Sequence, residues 1–250
     1  MSALPTIRDE DWRYADFDAV GQFAPEAIDS WREVTVEAGE TFRESVVIDG
    51  SDPFLSRIRV NVGKGARAEL FAINACADYA RLEVQVSLAE GAHFEFGGVT
   101  IGGGDAVREF VTRTDHSAPD ATSNQVVRAV HWNQATGNFL GRIDVGREGQ
   151  RTDAAQDFKG LLLEKGASAN AKPELEIYAD DVKCAHGAAI GQMDEMARFY
   201  MASRGLSPDA ARRLLIRAFI ADALAAMEDE AEAERLFEAA LAVLQTMDGQ

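Results

Sequence analysis

Cysteine is nearly missing from this chain: Cys76 and Cys184 are the only two in 250 residues. Two thiols cannot build a secreted disulfide framework, and a reducing compartment keeps both reduced. Positive charge is scarce as well. Twenty-five lysines and arginines face 42 aspartates and glutamates, a formal net charge of -17. The summed field repels phosphate backbones and anionic lipid headgroups, which argues against nucleic acid and membrane surfaces as partners. No uncharged apolar run approaches the length that spans a bilayer, and Met1 to Asp16 holds no basic stretch followed by an apolar one. The expected setting is the cytoplasm. A lysine and hydroxyl at phosphate-loop spacing are missing after Gly102-Gly103-Gly104, so no nucleotide site is expected in this chain. The length itself allows a core that needs neither disulfides nor metal, and one main domain with small appendages is the starting expectation.

What is present changes character along the chain. Residues 1–30 lack periodicity, and Asp9 to Phe17 mixes charges with large aromatics, as a segment lying across a domain surface does. They read as an N-terminal arm. From Trp31 to Tyr178 apolar residues alternate with polar ones: Ile58, Val60 and Val62; Leu82, Val84, Val86 and Leu88; Phe94 and Phe96. Period-two runs bounded by Gly, Asp and Asn predict strand after strand, and the expected β core occupies 31–190.

Several runs share one frame, an apolar residue three positions before a glycine. Gly39, Gly65 and Gly91 are each 26 apart, and Gly166 lies 75 further on, close to three more turns of the same length. Repeats of roughly 20 to 50 residues mean stacked units that bury a shared core only when they sit on one another. Glycine suits the corners, where the chain takes positive φ. A β-solenoid with one coil per repeat follows. A leucine-rich repeat would need a Leu-x-x-Leu-x-Leu frame and a hexapeptide helix a six-residue frame, and neither is present. A β-sandwich fits any single repeat equally well and stays open on pattern alone.

After Ala188 the spacing turns helical, and 191–250 reads as a helical region. Met193, Met196, Phe199 and Tyr200 share a face, with Gly205 at a C-cap. Ser207-Pro208 is an N-cap followed by proline at the first helical position, and Ile216, Phe219, Ile220 and Leu224 continue that helix. A third helix runs from about Asp229 to Met247 with Phe237, Leu241 and Leu244 on one side. Such amphipathic helices either cap the open end of a solenoid or dock a second protein.

Residues able to carry chemistry are few. Cys184 and His186 are two apart, so in a strand both point the same way. Thiolate and imidazole suit iron, zinc or sulfur chemistry, and Lys183 beside them would lower the thiol pKa. Two ligands fall short of a metal site, and on the residues alone a buried thiol beside a hydrogen-bonded histidine is the favoured reading of the pair. His93 reads as a rim residue, His116 and His131 lack an acid–nucleophile pairing, and Asp180-Asp181 fits turn chemistry.

The run Lys172 to Ala188, with Tyr178-Ala179-Asp180-Asp181-Val182-Lys183-Cys184-Ala185-His186-Gly187 at its centre, resembles the SufB/SufD family of iron–sulfur cluster assembly. Ile190-Gly191-Gln192-Met193-Asp194-Glu195, Phe199-Tyr200-Met201 and Ser203-Arg204-Gly205-Leu206 extend the likeness. Gly141 to Leu163 is similar to the same family's preceding strands, and Arg8 to Tyr14 resembles the N-terminal element of its SufD branch. The resemblance implies a right-handed parallel β-helix with C-terminal helices and a short arm, acting as a scaffold and not as an enzyme, with no catalytic residue. It also implies a SufB-like partner paired through the β-helix, and a SufC-like ATPase docked on the C-terminal helices. His186 then matches a ligand for iron or a nascent cluster shared with the partner subunit, and Cys184 its neighbour. Two departures stand out: Trp31 follows Trp12 within about twenty residues, a shortened form, and Ala185 and Ala189 replace the family's hydroxyl residues. Competing expectations are a solenoid enzyme acting on a carbohydrate or acyl substrate, and a homodimer joined edge to edge.

Overall fold

The computed structural model describes residues 4–247; positions 1–3 of the expected arm and 248–250 of the expected helical region lie outside the described residues. Twelve strands, β1 to β12 in chain order, alternate between two six-stranded sheets. The first sheet stacks β1 (Arg32–Val36), β3 (Phe54–Val62), β5 (Tyr79–Leu88), β7 (Val107–His116), β9 (Thr136–Val145) and β11 (Ser168–Ile177). The second stacks β2 (Thr41–Ile48), β4 (Arg67–Asn74), β6 (His93–Gly102), β8 (Thr122–His131), β10 (Asp153–Leu162) and β12 (Lys183–Gly191). Every pairing is parallel and joins one coil to the next, so the β-solenoid is confirmed over about six turns, and the sandwich alternative is excluded.

Alternation divides each strand between two environments. Along β4, Ala68, Leu70 and Ala72 enter the interior between the sheets, whereas Phe71 and Ile73 face outward. The interior is filled across the sheets by aromatic pairs. Phe96 meets Phe110 edge-on at 5.5 Å between centroids, and Phe139 stacks on Phe158 at 5.9 Å. Each pair adds about 0.5–1.5 kcal/mol beyond its buried area.

The corners leading from the first sheet to the second carry the repeat. Gly39, Gly65 and Gly91 take φ of 77°, 64° and 66°, and Asp120 and Arg151 continue the column at 60° and 61°. Each amide of that column donates to the next coil: Gly39 to Lys64, Gly65 to Glu90, Gly91 to Pro119, Asp120 to Gln150 and Arg151 to Asp181, at 2.6–3.0 Å. Gly166 is not part of it. It lies at the opposite corner, where an added Cβ would fall 2.3 Å from the Asn133 carbonyl. The expected extension through Gly166 is therefore corrected: later coils lengthen, and non-glycine residues take the left-handed position. Arg151 holds that uncommon conformation while its guanidinium grips Asp120 through two contacts of 2.6 Å.

The outer face of the first sheet is covered by the N-terminal segment, which forms a 3-10 turn (Glu10–Trp12) and two short helices, α1 (Phe17–Val20) and α2 (Pro25–Asp29). Trp12, Ala19, Val20 and Ile28 pack with Tyr79. Beneath Trp12, at 3.9 Å from its ring centroid, lies the buried Arg81 guanidinium. It donates to the Asp11 carbonyl at 2.7 Å and pairs with Glu83 at 3.0 Å and Glu109 at 3.4 Å. Glu109 in turn accepts from the Tyr79 hydroxyl at 2.7 Å and from Asn138 at 2.9 Å.

The outer face of the second sheet is covered by the chain's other end. α3 (Glu195–Ser203) leads to α4 (Pro208–Asp222) and α5 (Glu230–Met247), and the last two lie on this face. Ile216, Ile220, Leu236, Ala240, Leu241 and Leu244 bury Phe71, Ile73, Val99, Ile101 and Val130. The helices thus flank the solenoid, and the expectation that they cap its open end is corrected: Phe71 and Ile73 of β4, Val99 and Ile101 of β6 and Val130 of β8 face outward and demand the cover. Gly97 lets α4 approach so closely that a Cβ there would sit 2.1 Å from the Ala223 carbonyl. Buried Arg128 pins the end of α4 by donating to Asp222 at 2.9 Å.

Truncating Glu109 strands the buried partners Arg81, Tyr79 and Asn138 together. Loss of one member of such a buried pair costs about 3–5 kcal/mol, so Glu109→Ala is expected to lower stability by that amount in equilibrium urea unfolding, whereas the exposed Glu33→Ala leaves it nearly unchanged.

Candidate functional site

The last coil is one end of the solenoid, as β1 and β2 are the other. β11 and β12 each pair with a single strand, and their residues are half-buried or exposed throughout. Ile177 and Ile190 are 39% and 45% exposed. β12, Lys-Cys-Ala-His-Gly-Ala-Ala-Ile-Gly, carries one charged residue in nine, and small side chains leave its backbone reachable. Natural edges are blunted by charge, proline or cover. β11 has Pro173 and three charged residues; β12 has almost nothing of the kind.

Cys184 and His186 both lie on β12, on the side of the strand that continues the interior. Cys184 is half-buried against Ile143, Val145, Ala154 and Ala179, while His186 is exposed. Their Cα atoms are about 6.8 Å apart by strand geometry. The thiol is not activated in the way expected. Burial pushes its pKa up, the Asp153 charge adds to the rise, and only the backbone amide of Ala154 opposes it. Lys183, one residue away in a strand, points to the other face, which is why its charge does not rescue the thiolate.

Register brings in a residue that the sequence did not single out. Gln156 of β10 sits opposite His186, and Gln125 of β8 lies one strand further in. Gln125 is satisfied, accepting from Thr112 at 2.5 Å and donating to Thr114 at 3.2 Å. Gln156 is 2% exposed, and neither its amide nitrogen nor its oxygen has a partner. At one strand spacing, about 4.8 Å, this unused amide stands behind the imidazole. A group seated on the open end would find a thiol and an imidazole on the inner side of β12, with an amide one strand behind the imidazole. Among the described residues no cluster of three His, Cys, Asp or Glu side chains is assembled.

The remaining histidines are occupied. His93 is half-buried, with Nδ1 2.7 Å from the Thr122 hydroxyl and Nε2 3.3 Å from Glu95. His116 and His131 are fully buried, His116 against Ser123 at 2.9 Å and His131 between Thr100 at 3.0 Å and the Gly102 carbonyl at 3.1 Å. Burial lowers their pKa from 6.5 to about 4 and about 3 respectively, with the nearby Arg108 charge adding to the drop at His131. Both are neutral structural groups. Asp180 and Asp181 lie in the corner before β12, in agreement with the turn reading.

Residues 45–219 match the model of the SUF system FeS cluster assembly, SufBD core domain. The chain belongs to the SufBD family. It is 35% identical over 178 residues to an iron–sulfur cluster assembly SufBD family protein of Synechocystis, a stretch covering 70% of this chain and 39% of that one. To the iron–sulfur cluster assembly protein SufD of Escherichia coli it is 38% identical over 121 residues, 48% of this chain and 29% of the relative. SufD of Bacillus subtilis is 29% identical over 123 residues, 49% and 28%. The matched stretches therefore cover well under half the length of these relatives. The matched region contains both Cys184 and His186 and runs from β2 into α4.

Two outcomes follow. In native protein at neutral pH, Cys184 is expected to label slowly with a thiol reagent, faster as pH rises past 9, and Cys76, 0% exposed, only after denaturation. Mass spectrometry of labelled peptides reads both rates. For the histidines, the folded state holds fewer protons than the unfolded state below 6.5. Stability therefore falls as pH drops from 6.5 towards about 4 for His116 and about 3 for His131, by up to about 1.4 kcal/mol per pH unit for each. A His131→Gln variant is expected to show a shallower decline of unfolding free energy between pH 6.5 and 4.5.

Proposed function

We propose that this protein is a non-enzymatic scaffold of iron–sulfur cluster assembly in the cytoplasm, of the SufD type. It pairs with a SufB-like subunit through the uncovered last coil. The observation that carries the reading is β12: a long, nearly uncharged edge strand with His186 exposed on it and apolar Ile190 beside it. A partner strand laid along this edge would satisfy its free backbone groups and cover the open interior. The nascent cluster is cargo in this reading. His186, with Cys184 beside it, offers two ligands, and the remaining ones come from the partner chain, which accounts for the incomplete set in a single copy.

A SufC-like ATPase docks on the helices. Met196, Phe199 and Tyr200 of α3 are 73%, 71% and 58% exposed, and Leu214 of α4 is 47% exposed. An apolar patch of this kind, beside helices already committed to the solenoid on their other face, is what a protein partner covers. In the absence of SufB the same edge would accept a second copy of this chain.

Co-expression with SufB-like and SufC-like subunits tests the assignment. A stable complex is expected, together with cluster reconstitution, followed by absorbance, that drops sharply for His186→Ala while the complex still assembles. Failure to co-purify removes the scaffold reading. An unchanged cluster yield in an assembled His186→Ala complex removes the ligand role alone.

A further inference from the structure

Arg108 is a buried cation without a counter-charge. Its side chain enters the solenoid interior from β7, near the corner that follows β6, and the residue is 2% exposed. Its one hydrogen bond is long, from Nη2 to the Gly103 carbonyl at 3.5 Å, and Nε and Nη1 have no partner. The two other buried arginines among the described residues are matched: Arg81 pairs with Glu83 and Glu109, Arg128 with Asp157 and Asp222. No carboxylate among the described residues forms such a pair with Arg108. Among acidic side chains, only that of Cys76 is close enough to bear on the Arg108 charge. Yet the Cys76 sulfur lies 3.5 Å from the Asp52 carbonyl and 3.7 Å from that of Tyr79, contacts of a thiol that donates its proton and would repel an anion. Burial is what pulls the guanidinium down, to about 10.

The backbone is shaped around this group. Gly102 holds φ of 146°, and a Cβ there would fall 2.4 Å from Arg108 Nη2. No other residue fits at this position while the guanidinium keeps its place. Arg108 lines a cavity of about 470 Å³ bounded by the Gly102–Gly104 corner, Trp132 and Asn133 on the solenoid side and by Ala239 and Ala242 of α5 on the other. The exposed Asp49 also borders it.

We propose that this cavity binds a small molecule through an oxyanionic group, phosphate or carboxylate, which supplies the counter-charge that Arg108 lacks. A planar guanidinium accepts either group through two parallel N–H contacts. The outer end of the guanidinium, Nη1 with Nη2, is one such edge: Nη1 has no partner, and Nη2 is held only by the long contact to Gly103. The cavity falls in the size range of small-molecule sites and exceeds a bare inorganic anion, so the anion is the head of a larger ligand. Asp49 at the border disfavours a ligand carrying several negative charges. The site is independent of the open end, since it lies between a corner of the solenoid and α5.

Thermal unfolding of the whole chain, with inorganic phosphate or acetate replacing chloride at constant ionic strength, tests the proposal. Wild type is expected to gain Tm with phosphate, acetate or both, in a saturable manner. Arg108→Met is expected to match or exceed the wild-type Tm in chloride, because an unpaired buried charge has been replaced by an apolar chain, and to lose the saturable gain. Ala239→Glu keeps Arg108 and places a carboxylate at the cavity wall. It too is expected to lose the gain, whether it repels the anion or pairs with the arginine. A shift of equal size in wild type and both variants reports general salting effects and overturns the proposal, as does no shift in wild type with either anion.

Discussion

Stacking in register is the constraint from which the remaining features follow. A single coil of this chain buries nothing: its two strands face each other across an interior that is closed only when the next coil lies on top. The corner amides of residues 39, 65, 91, 120 and 151 each donate to the following coil, so the hydrogen-bond ladder does not lapse where the chain turns. Because the ladder is continuous, the register of each strand is set by the one before it, and a slip of one residue would turn Phe94, Phe96 and Phe110 out of the interior. Corners that keep a left-handed residue while growing longer, from 26 residues between Gly65 and Gly91 to 31 between Asp120 and Arg151, show that the ladder, and not the repeat length, is what the fold preserves.

A stack of this kind has two ends and two flanks, and the chain spends its termini on the flanks. The arm lies over Arg81 and Glu109, and α4 and α5 lie over the apolar outer residues of the second sheet. Neither is left to close the last coil. The interior changes along the stack in the same sense. In the column that passes through Phe96, the next residues are Gln125, Gln156 and His186, an aromatic followed by an amide with partners, an amide without them and an exposed imidazole. A solenoid meant to end in water would be expected to finish the other way, with its interior dry and its last strand charged. Polarity rising inward of an uncharged edge fits an end that a second protein completes.

Much of this was legible in the order of residues, and the gaps have physical causes. Alternation revealed the strands because nearly every one has an interior face and a differently covered outer face. The solenoid was legible in three glycine corners, then blurred where Asp120 and Arg151 took over the left-handed position and where Gly166 proved to belong to the opposite corner. The amphipathic stripe of α4 showed that one face would be buried but not against what, since an apolar face fits a flank as well as an end. Cys184 and His186 were visible as a pair. The direction of the thiol pKa was not, because it depends on Asp153 and on packing against Ile143 and Val145, contacts that only the register creates. Gln156 and Arg108 were invisible for the same reason: a polar residue in an alternating run declares its face, not whether a partner awaits it there.

The three buried arginines set the terms on which this fold tolerates charge away from water. Arg81 and Arg128 are each met by two carboxylates, and each also joins separate pieces of chain: Arg81 holds the arm to the first sheet through the Asp11 carbonyl, and Arg128 holds α4 to the second through Asp222. There the cost of burying charge is offset by an attachment that only the native arrangement provides. Arg108 makes no attachment. Its guanidinium is accommodated by a glycine in a conformation closed to other residues, it has the Cys76 thiol near it in place of a carboxylate, and it faces a cavity instead of packed side chains. An apolar residue there would fill the same space without the charge. Of the three, it is the one whose charge the fold itself does not use, and a charge kept buried at a cavity wall without a structural partner is best accounted for by something that enters the cavity to meet it.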